Sequence, residues 1–180
     1  MAERSTRTSE QLLLGEWACL GLIAPRPTHG FAVAAALKPS GEIGRVWSLS
    51  RPLTYRAIEQ LLARELVAVV GEERGIAGGN RTLVAATRTG RAQLRKWLRT
   101  PVEHVRDVRS ELLLKLLLAE RCGVDIGPML VRQRAQVAAM ETALRDQVDA
   151  HPDDVVVRWR AESAGAVHRF LDALVAAPTR

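Results

Sequence analysis

Apolar residues recur along this chain in blocks whose spacing changes from helical to strand-like and back. The most sharply bounded block is Ser48 to Val67, SLSRPLTYRAIEQLLARELV. Ser50 stands where an N-cap belongs, and Pro52 falls in the first turn, where a missing N–H costs nothing. Ala57, Ile58, Leu61 and Leu62 follow at three- and four-residue spacing and make one apolar face. Arg51, Tyr55, Arg56, Glu59, Gln60 and Arg64 fall largely on the other. Its cations, phenol hydroxyl and amide suit phosphates and base edges, and equally suit solvent on an ordinary surface helix. Beyond it, Leu66 to Val70 is apolar and β-branched, as a strand would be. Gly71 to Asn80 is rich in glycine and charge, Arg81 to Ala86 reads as a second strand, and Thr87-Arg-Thr-Gly90 opens another helix. Helix, strand, glycine-rich loop, strand is the order of a winged helix-turn-helix, with Gly75 to Asn80 as the wing tip.

The same reading extends to both sides. Residues 1 to about 7 are polar and expected to fray. Thr8-Ser-Glu-Gln11 fits a capping box for a first helix that carries Leu12, Leu13, Trp17 and Leu20 and ends by Ile23, before Pro25 and Pro27. Thr28-His-Gly-Phe31 starts a second helix, Gly30 to about Leu37, which would pair with the Ser50 helix. Arg45-Val-Trp47 reads as a short third strand at the root of the wing. Thr87 to Arg99 forms a helix with Leu94, Trp97 and Leu98 inward, closed by Pro101. Past a hinge to Asp107, Arg109 to Arg121 is apolar enough to need a partner surface. From Pro128 to about Ala150, Leu130, Val137 and Leu144 recur every seven residues, with Gln133, Met140 and Gln147 between them. That is a short coiled-coil-like seam with polar interruptions. His151-Pro152 ends it, and Asp153 or Asp154 caps a last helix whose Val156, Trp159, Ser163, Ala166, Phe170 and Leu174 share a face. Two such helices need cover, from a second copy or from a hairpin folded on its own chain. The expected fold class is mostly α with a small β-wing. A winged helix-turn-helix head occupies residues 8–101, and a helical dimerisation region residues 102–180.

Charge sharpens this division. Residues 1–101 hold 15 Lys+Arg against 8 Asp+Glu, and residues 102–180 hold 11 against 12. A basic front on a neutral back fits a DNA-binding head on a protein-binding tail. A hydrophobic content of 47% excludes a disordered chain, and 180 residues can bury a real core. The two cysteines, Cys19 and Cys122, lie in apolar helical settings and are expected to be reduced thiols, as in a cytoplasm. Leu112 to Ala119 is too short to span a membrane and is interrupted by Lys115, and no signal peptide is visible. His29 is read as a helix-start residue near the phosphate backbone. His104, His151 and His168 make no metal-ligand spacing with one another or with the cysteines. No nucleophile elbow, Walker loop or dinucleotide fingerprint occurs, so neither catalysis nor a cofactor is expected.

The head resembles PadR-type transcriptional regulators. The matching residues are Ser50, Tyr55, Arg56, Ala57, Ile58, Leu61, Leu66 and Val67, then Arg81, Thr87, Gly90, Arg91, Leu94, Trp97 and Leu98. The likeness covers roughly residues 10 to 121. Arg51-Pro52 stands where the family has Pro-Gly, Glu65 where a glycine ends the helix, and Leu83 and Val84 where the wing has tyrosines. The resemblance implies a homodimer built from the tail. It also implies a double-stranded DNA operator and repression relieved by a small aromatic effector at the dimer interface. Trp17, Trp97, Trp159 and Phe170 are the effector candidates, and at helical spacing they are equally plain core. Ser50, Arg51, Tyr55, Arg56, Gln60, Arg74, Asn80 and Arg81 form the expected DNA-facing set. Arg51 and Arg56 point about 140° apart, so one should meet a base edge and the other a phosphate. Arg56 is assigned the base, and Arg74 and Arg81 are assigned sequence-blind anchoring. The rivals are a MarR-like regulator, which fits the tail less well, and a winged-helix protein-interaction module that binds no DNA.

Overall fold

The computed structural model describes residues 11–74 and 80–176, and within it the chain forms two compact units. One runs to Lys96 and takes in Glu120–Cys122; the other comprises Trp97–Ala119 and the chain from Gly123 onward. The fraying terminus, the capping box at 8–11 except for Gln11, and the wing tip at 75–80 except for Asn80 lie outside the described residues. The first helix starts only at Leu14, so Leu12 and Leu13 precede it rather than lie in it.

The head contains α1 (Leu14–Ile23), β1 (Thr28–His29), α2 (Gly30–Ala36), α3 (Arg51–Ala63), β2 (Val67–Arg74), β3 (Asn80–Ala86) and α4 (Arg88–Leu98). Helix α1 is buried from Glu16 to Ile23. The Glu16 carboxylate turns back to accept the Leu13 N–H at 2.8 Å, so this buried charge satisfies an orphan donor at the helix start. The sheet is antiparallel in the order β1–β3–β2, with Thr28 opposite Val84 and Val67 opposite Ala86. The third strand is therefore Thr28–His29, not Arg45 to Trp47 as the sequence suggested. The latter segment is wound into turns. Ile43 is fully buried, and the Ile43 and Gly44 N–H groups donate to Ala36 O at 3.2 and 3.0 Å. Those bonds tie the segment to the end of α2, leaving it no sheet edge to join.

Helix α3 ends in a Schellman arrangement. The Leu66 N–H donates to Leu61 O at 2.9 Å and the Glu65 N–H to Leu62 O at 3.0 Å. This geometry puts the residue between in the left-handed region, and Glu65 has φ 55°. A side chain there costs about 1–2 kcal/mol. Glu65→Gly is expected to raise head stability by about 1 kcal/mol, the glycine's extra unfolded-state freedom offsetting part of the relief. Urea melts check this, and an unchanged or lower midpoint would mean that Glu65 is not strained.

The next junction is built from the Thr87-Arg-Thr-Gly90 signal. Thr87 Oγ1 accepts the Gly90 N–H at 3.0 Å and donates to Glu65 O at 2.9 Å, capping α4 while holding the end of α3. Arg91 donates from Nε to Ala24 O at 3.3 Å and from Nη1 to Ala86 O, joining α4 to the ends of α1 and β3.

The tail contains a 3₁₀ turn (Val105–Asp107), a π turn (Val108–Leu112), α5 (Leu113–Cys122), α6 (Gly127–Ala150) and α7 (Val155–Ala176). Helices α6 and α7 pack against each other as a hairpin. The heptad face is real, but much of it is covered inside the protomer. Leu130, Gln133 and Val137 are buried, while Met140 and Leu144 are half-buried. Gln133 is no seam interruption: its side chain accepts the Val102 N–H at 2.7 Å and donates to Val102 O at 3.1 Å. Helix α7 buries Ala161, Ala164, Gly165 and Leu171. The face expected to point inward is the open one, with Val156, Trp159, Ala166 and Phe170 exposed. Small residues win the packed side because they allow close approach: a Cβ at Gly165 would lie 3.1 Å from Glu141 Oε1.

Lys115, which breaks the leucine run, is 1% exposed. Its ammonium donates to Thr100 O at 2.7 Å, pairs with Glu111 at 2.7 Å and sits 4.9 Å from the Trp97 ring centroid. Burial pushes its pKa down, against the opposing pull of Glu111.

Glu141 is almost buried between α6 and α7. It accepts from His168 Nδ1 at 2.7 Å and pairs with Arg145. The hydrogen bond from His168 and, less strongly, Arg145 hold its pKa below the ordinary 4.5, outweighing burial. A carboxyl depressed on folding contributes stability above its unfolded value, and that stability is lost as pH falls through the folded value. Tail stability is therefore expected to drop on acidification below 4.5, and Glu141→Gln to flatten that part of the profile. Denaturation midpoints of both proteins across acid pH decide this; parallel curves would contradict it.

Candidate nucleic-acid interface

Helix α3 presents two faces. Thr54, Ala57, Ile58 and Leu61 are buried, while Arg51, Arg56 and Gln60 are exposed. The first turn is tied by Thr54, whose Oγ1 donates to Ser50 O at 3.0 Å. Ser50 takes the extended N-cap conformation, but its exposed hydroxyl makes no cap hydrogen bond. Tyr55 is half-turned inward. Its ring lies so close to Gly30 that a Cβ there would sit 2.8 Å from Tyr55 Cε1. Glycine at that position lets α3 approach the first residue of α2.

The β2–β3 hairpin adds the remaining predicted residues. Arg74 and Asn80 end and begin the two strands, directly opposite each other. Asn80 Nδ2 donates to Glu72 Oε2 at 2.8 Å, so its amide holds the hairpin. Arg81 reaches toward α2 and α3: its guanidinium lies 5.3 Å from the Phe31 ring centroid. Arg51 lies 5.7 Å from the same centroid and 5.7 Å from that of Tyr55. Arg51, Arg56 and Arg81 form no ion pair with any described carboxylate. The fold thus gathers Ser50, Arg51, Tyr55, Arg56 and Gln60 on one helix and joins Arg81 to them through Phe31. Sequence reasoning passed over Phe31. Its signal was an aromatic at the start of a short helix, which periodicity assigns to core.

The aromatic effector candidates separate. Trp17 is buried within α1 of the head, and Trp97 carries the Lys115 ammonium. Trp159 and Phe170 line a groove of about 920 Å³ in the tail, together with Leu113, Met140, Leu144 and Val167. Arg106, Arg109 and Arg160 also line it. Cys19 is a buried thiol with its pKa pushed up to about 12 by burial and, secondarily, by Glu16. Burial also raises that of Cys122. Among the described residues, no cluster of His, Cys, Asp and Glu could hold a metal ion, and no helix is long and apolar enough to cross a membrane.

No family model and no curated protein matches this chain. Solved structures match over most of its length. Bacillus subtilis PadR in complex with operator DNA is 15% identical, with 89% of this chain and 97% of that chain covered at a TM-score of 0.46. Bacillus subtilis PadR in complex with p-coumaric acid is 16% identical, over 91% and 98% of the two chains at a TM-score of 0.44. The PadR-like transcriptional regulator BC1756 from Bacillus cereus is 18% identical, over 89% and 95% at a TM-score of 0.39. The structural neighbours of this chain are PadR and PadR-like transcriptional regulators.

Proposed function

We propose that this chain is a homodimeric, sequence-specific DNA-binding repressor of transcription, acting in the cytoplasm and carrying no enzymatic activity. The observation that carries the reading is the open face of α3. Arg51, Arg56 and Gln60 stand exposed, and their helix is backed by buried Thr54, Ala57, Ile58 and Leu61. A helix that turns Arg51, Arg56 and Gln60 outward, with Glu59 among them, beside a hairpin bearing Arg74 and Arg81, suits the major-groove docking of a winged helix-turn-helix. Arg56 reads a base edge, and Arg74 and Arg81 hold the backbone. The second protomer covers the open α7 face around Trp159 and Phe170. A small aromatic effector fits the tail groove, whose volume falls in the usual range for ligand sites. An effector that weakens DNA binding must itself be weakened by DNA to the same factor.

The test compares Arg56→Ala with Arg81→Ala on a selected operator and on scrambled duplex across a salt series. Arg56→Ala is expected to lose roughly 1–3 kcal/mol on the operator and to relax preference at one position. Arg81→Ala is expected to weaken both duplexes alike and to make the salt slope shallower by about one unit. Wild-type behaviour of both variants would remove α3 and the hairpin as the reading surface. The interaction-module reading would then lead.

A further inference from the structure

Two guanidiniums and three rings meet where β1 runs into α2. Arg51 comes from α3 and Arg81 from β3, and both lie on the ring of Phe31, at 5.7 and 5.3 Å. Both distances fall inside the roughly 6 Å reach of a cation–π contact. Phe31 is 48% exposed, so its ring is not spent on the core. A guanidinium laid on an aromatic face keeps its N–H edge available for a phosphate. Two like charges on one ring, neither paired with a described carboxylate, repel each other until an anion joins them.

His29 supplies an independent observation. Its Nδ1 accepts the Ala32 N–H at 3.1 Å. An imidazole that accepts at Nδ1 carries its proton on Nε2. That Nε2 lies 3.4 Å from Arg81 Nη1, which is also a donor. The two cannot hydrogen-bond to each other, but both can donate to one acceptor oxygen beside them.

We propose that His29, Phe31, Arg51 and Arg81 form a clamp for one phosphodiester of duplex DNA. The Nε2–H of His29 and the two guanidiniums are the donors, and Phe31 is the positioning residue. This rests on the DNA-binding reading, adds Phe31 to it, and gives His29, which the sequence places near the phosphate backbone, the role of a donor. Because both arginines lean on one ring, helix and wing address the backbone in a fixed register.

Phe31→Leu keeps apolar bulk and removes the ring, whereas Phe31→Tyr keeps the ring. Affinity for a mixed-sequence duplex is measured across salt, with thermal melts as a folding control. In parallel, the imidazole nitrogen signals of His29 are followed while inorganic phosphate is added. Phe31→Leu is expected to melt as wild type does, yet to bind duplex about tenfold more weakly, with a salt slope shallower by about one unit. Phe31→Tyr is expected to restore both, and phosphate to shift the His29 signals in wild type far more than in Phe31→Leu. Duplex binding by Phe31→Leu with wild-type affinity and slope would overturn the clamp and leave the DNA reading standing. Should the wild-type protein bind no duplex, the DNA reading fails by itself, and the phosphate titration decides the clamp. A shift dependent on Phe31 sustains it as an anion site, and no shift overturns it.

Discussion

Gly90→Ala is expected to destabilise the head by about 3 kcal/mol or more, among the largest effects of any single methyl group in this chain. A Cβ at Gly90 would fall 2.0 Å from Leu66 O and 2.9 Å from Leu66 C. The obstacle is backbone, and it is pinned from several directions. Leu66 N donates to Leu61 O, Leu66 O accepts from Thr87 N, and Thr87 Oγ1 donates to Glu65 O. Moving Leu66 aside would break the end of α3, the start of β2 and the cap of α4 together. Gly123 makes the natural control. It has φ 61° but nothing within 4 Å of its Cβ, so Gly123→Ala carries only the left-handed penalty of about 1–2 kcal/mol. Thermal melts of the two variants should separate by roughly 10 °C, at 4–8 °C per kcal/mol for a domain of this size. A Gly90→Ala protein that melts with wild type would mean that α4 does not sit against Leu66 as described.

Trp159→Glu is expected to convert the proposed dimer to a monomer. Trp159 is 72% exposed, and Val155, Val156 and Phe170 are exposed on the same helix. Apolar exposure on this scale marks an interaction surface, and aromatic anchors dominate such surfaces. A carboxylate placed there must be desolvated on association. Linked heads bind a two-site operator by effective concentration, so loss of the dimer is expected to weaken operator binding on the order of a hundredfold. Sedimentation gives the mass, and the thermal melt controls for folding because Trp159 is not part of the core. A wild-type monomer, or a Trp159→Glu dimer, would contradict the proposed use of this face.

Much of the head was legible because its signals are local. The Ser50 cap position with Pro52 and the Thr87-x-x-Gly90 signal each fix the backbone within a few residues, and the end of β3 and helices α3 and α4 follow from them. β1 was not legible. Two residues carry no period, and Thr28 joins the sheet only by meeting Val84 far along the chain. The strand expected at Arg45 to Trp47 had the right composition, but Ile43 is drawn into the core and the segment curls with it. In the tail, periodicity located faces without naming what covers them. On α7 Val156, Trp159 and Phe170 point outward because Ala161, Ala164 and Gly165 allow closer helix contact. For the interface, the α3 face could be read residue by residue. The part played by Phe31 could not, since it depends on two arginines brought in from different elements.

The central claim is that the basic head grips duplex DNA, and the salt dependence of wild-type affinity tests it most directly. Binding of a duplex recovered by selection from random sequence is measured from about 50 to 200 mM salt. With Arg51, Arg74 and Arg81 of both protomers of the proposed dimer on phosphates, log K should fall linearly against log salt with a slope of about −5, and selected duplex should outcompete scrambled duplex. No retained duplex at the lowest salt, or a flat slope with no preference between the two duplexes, would contradict it.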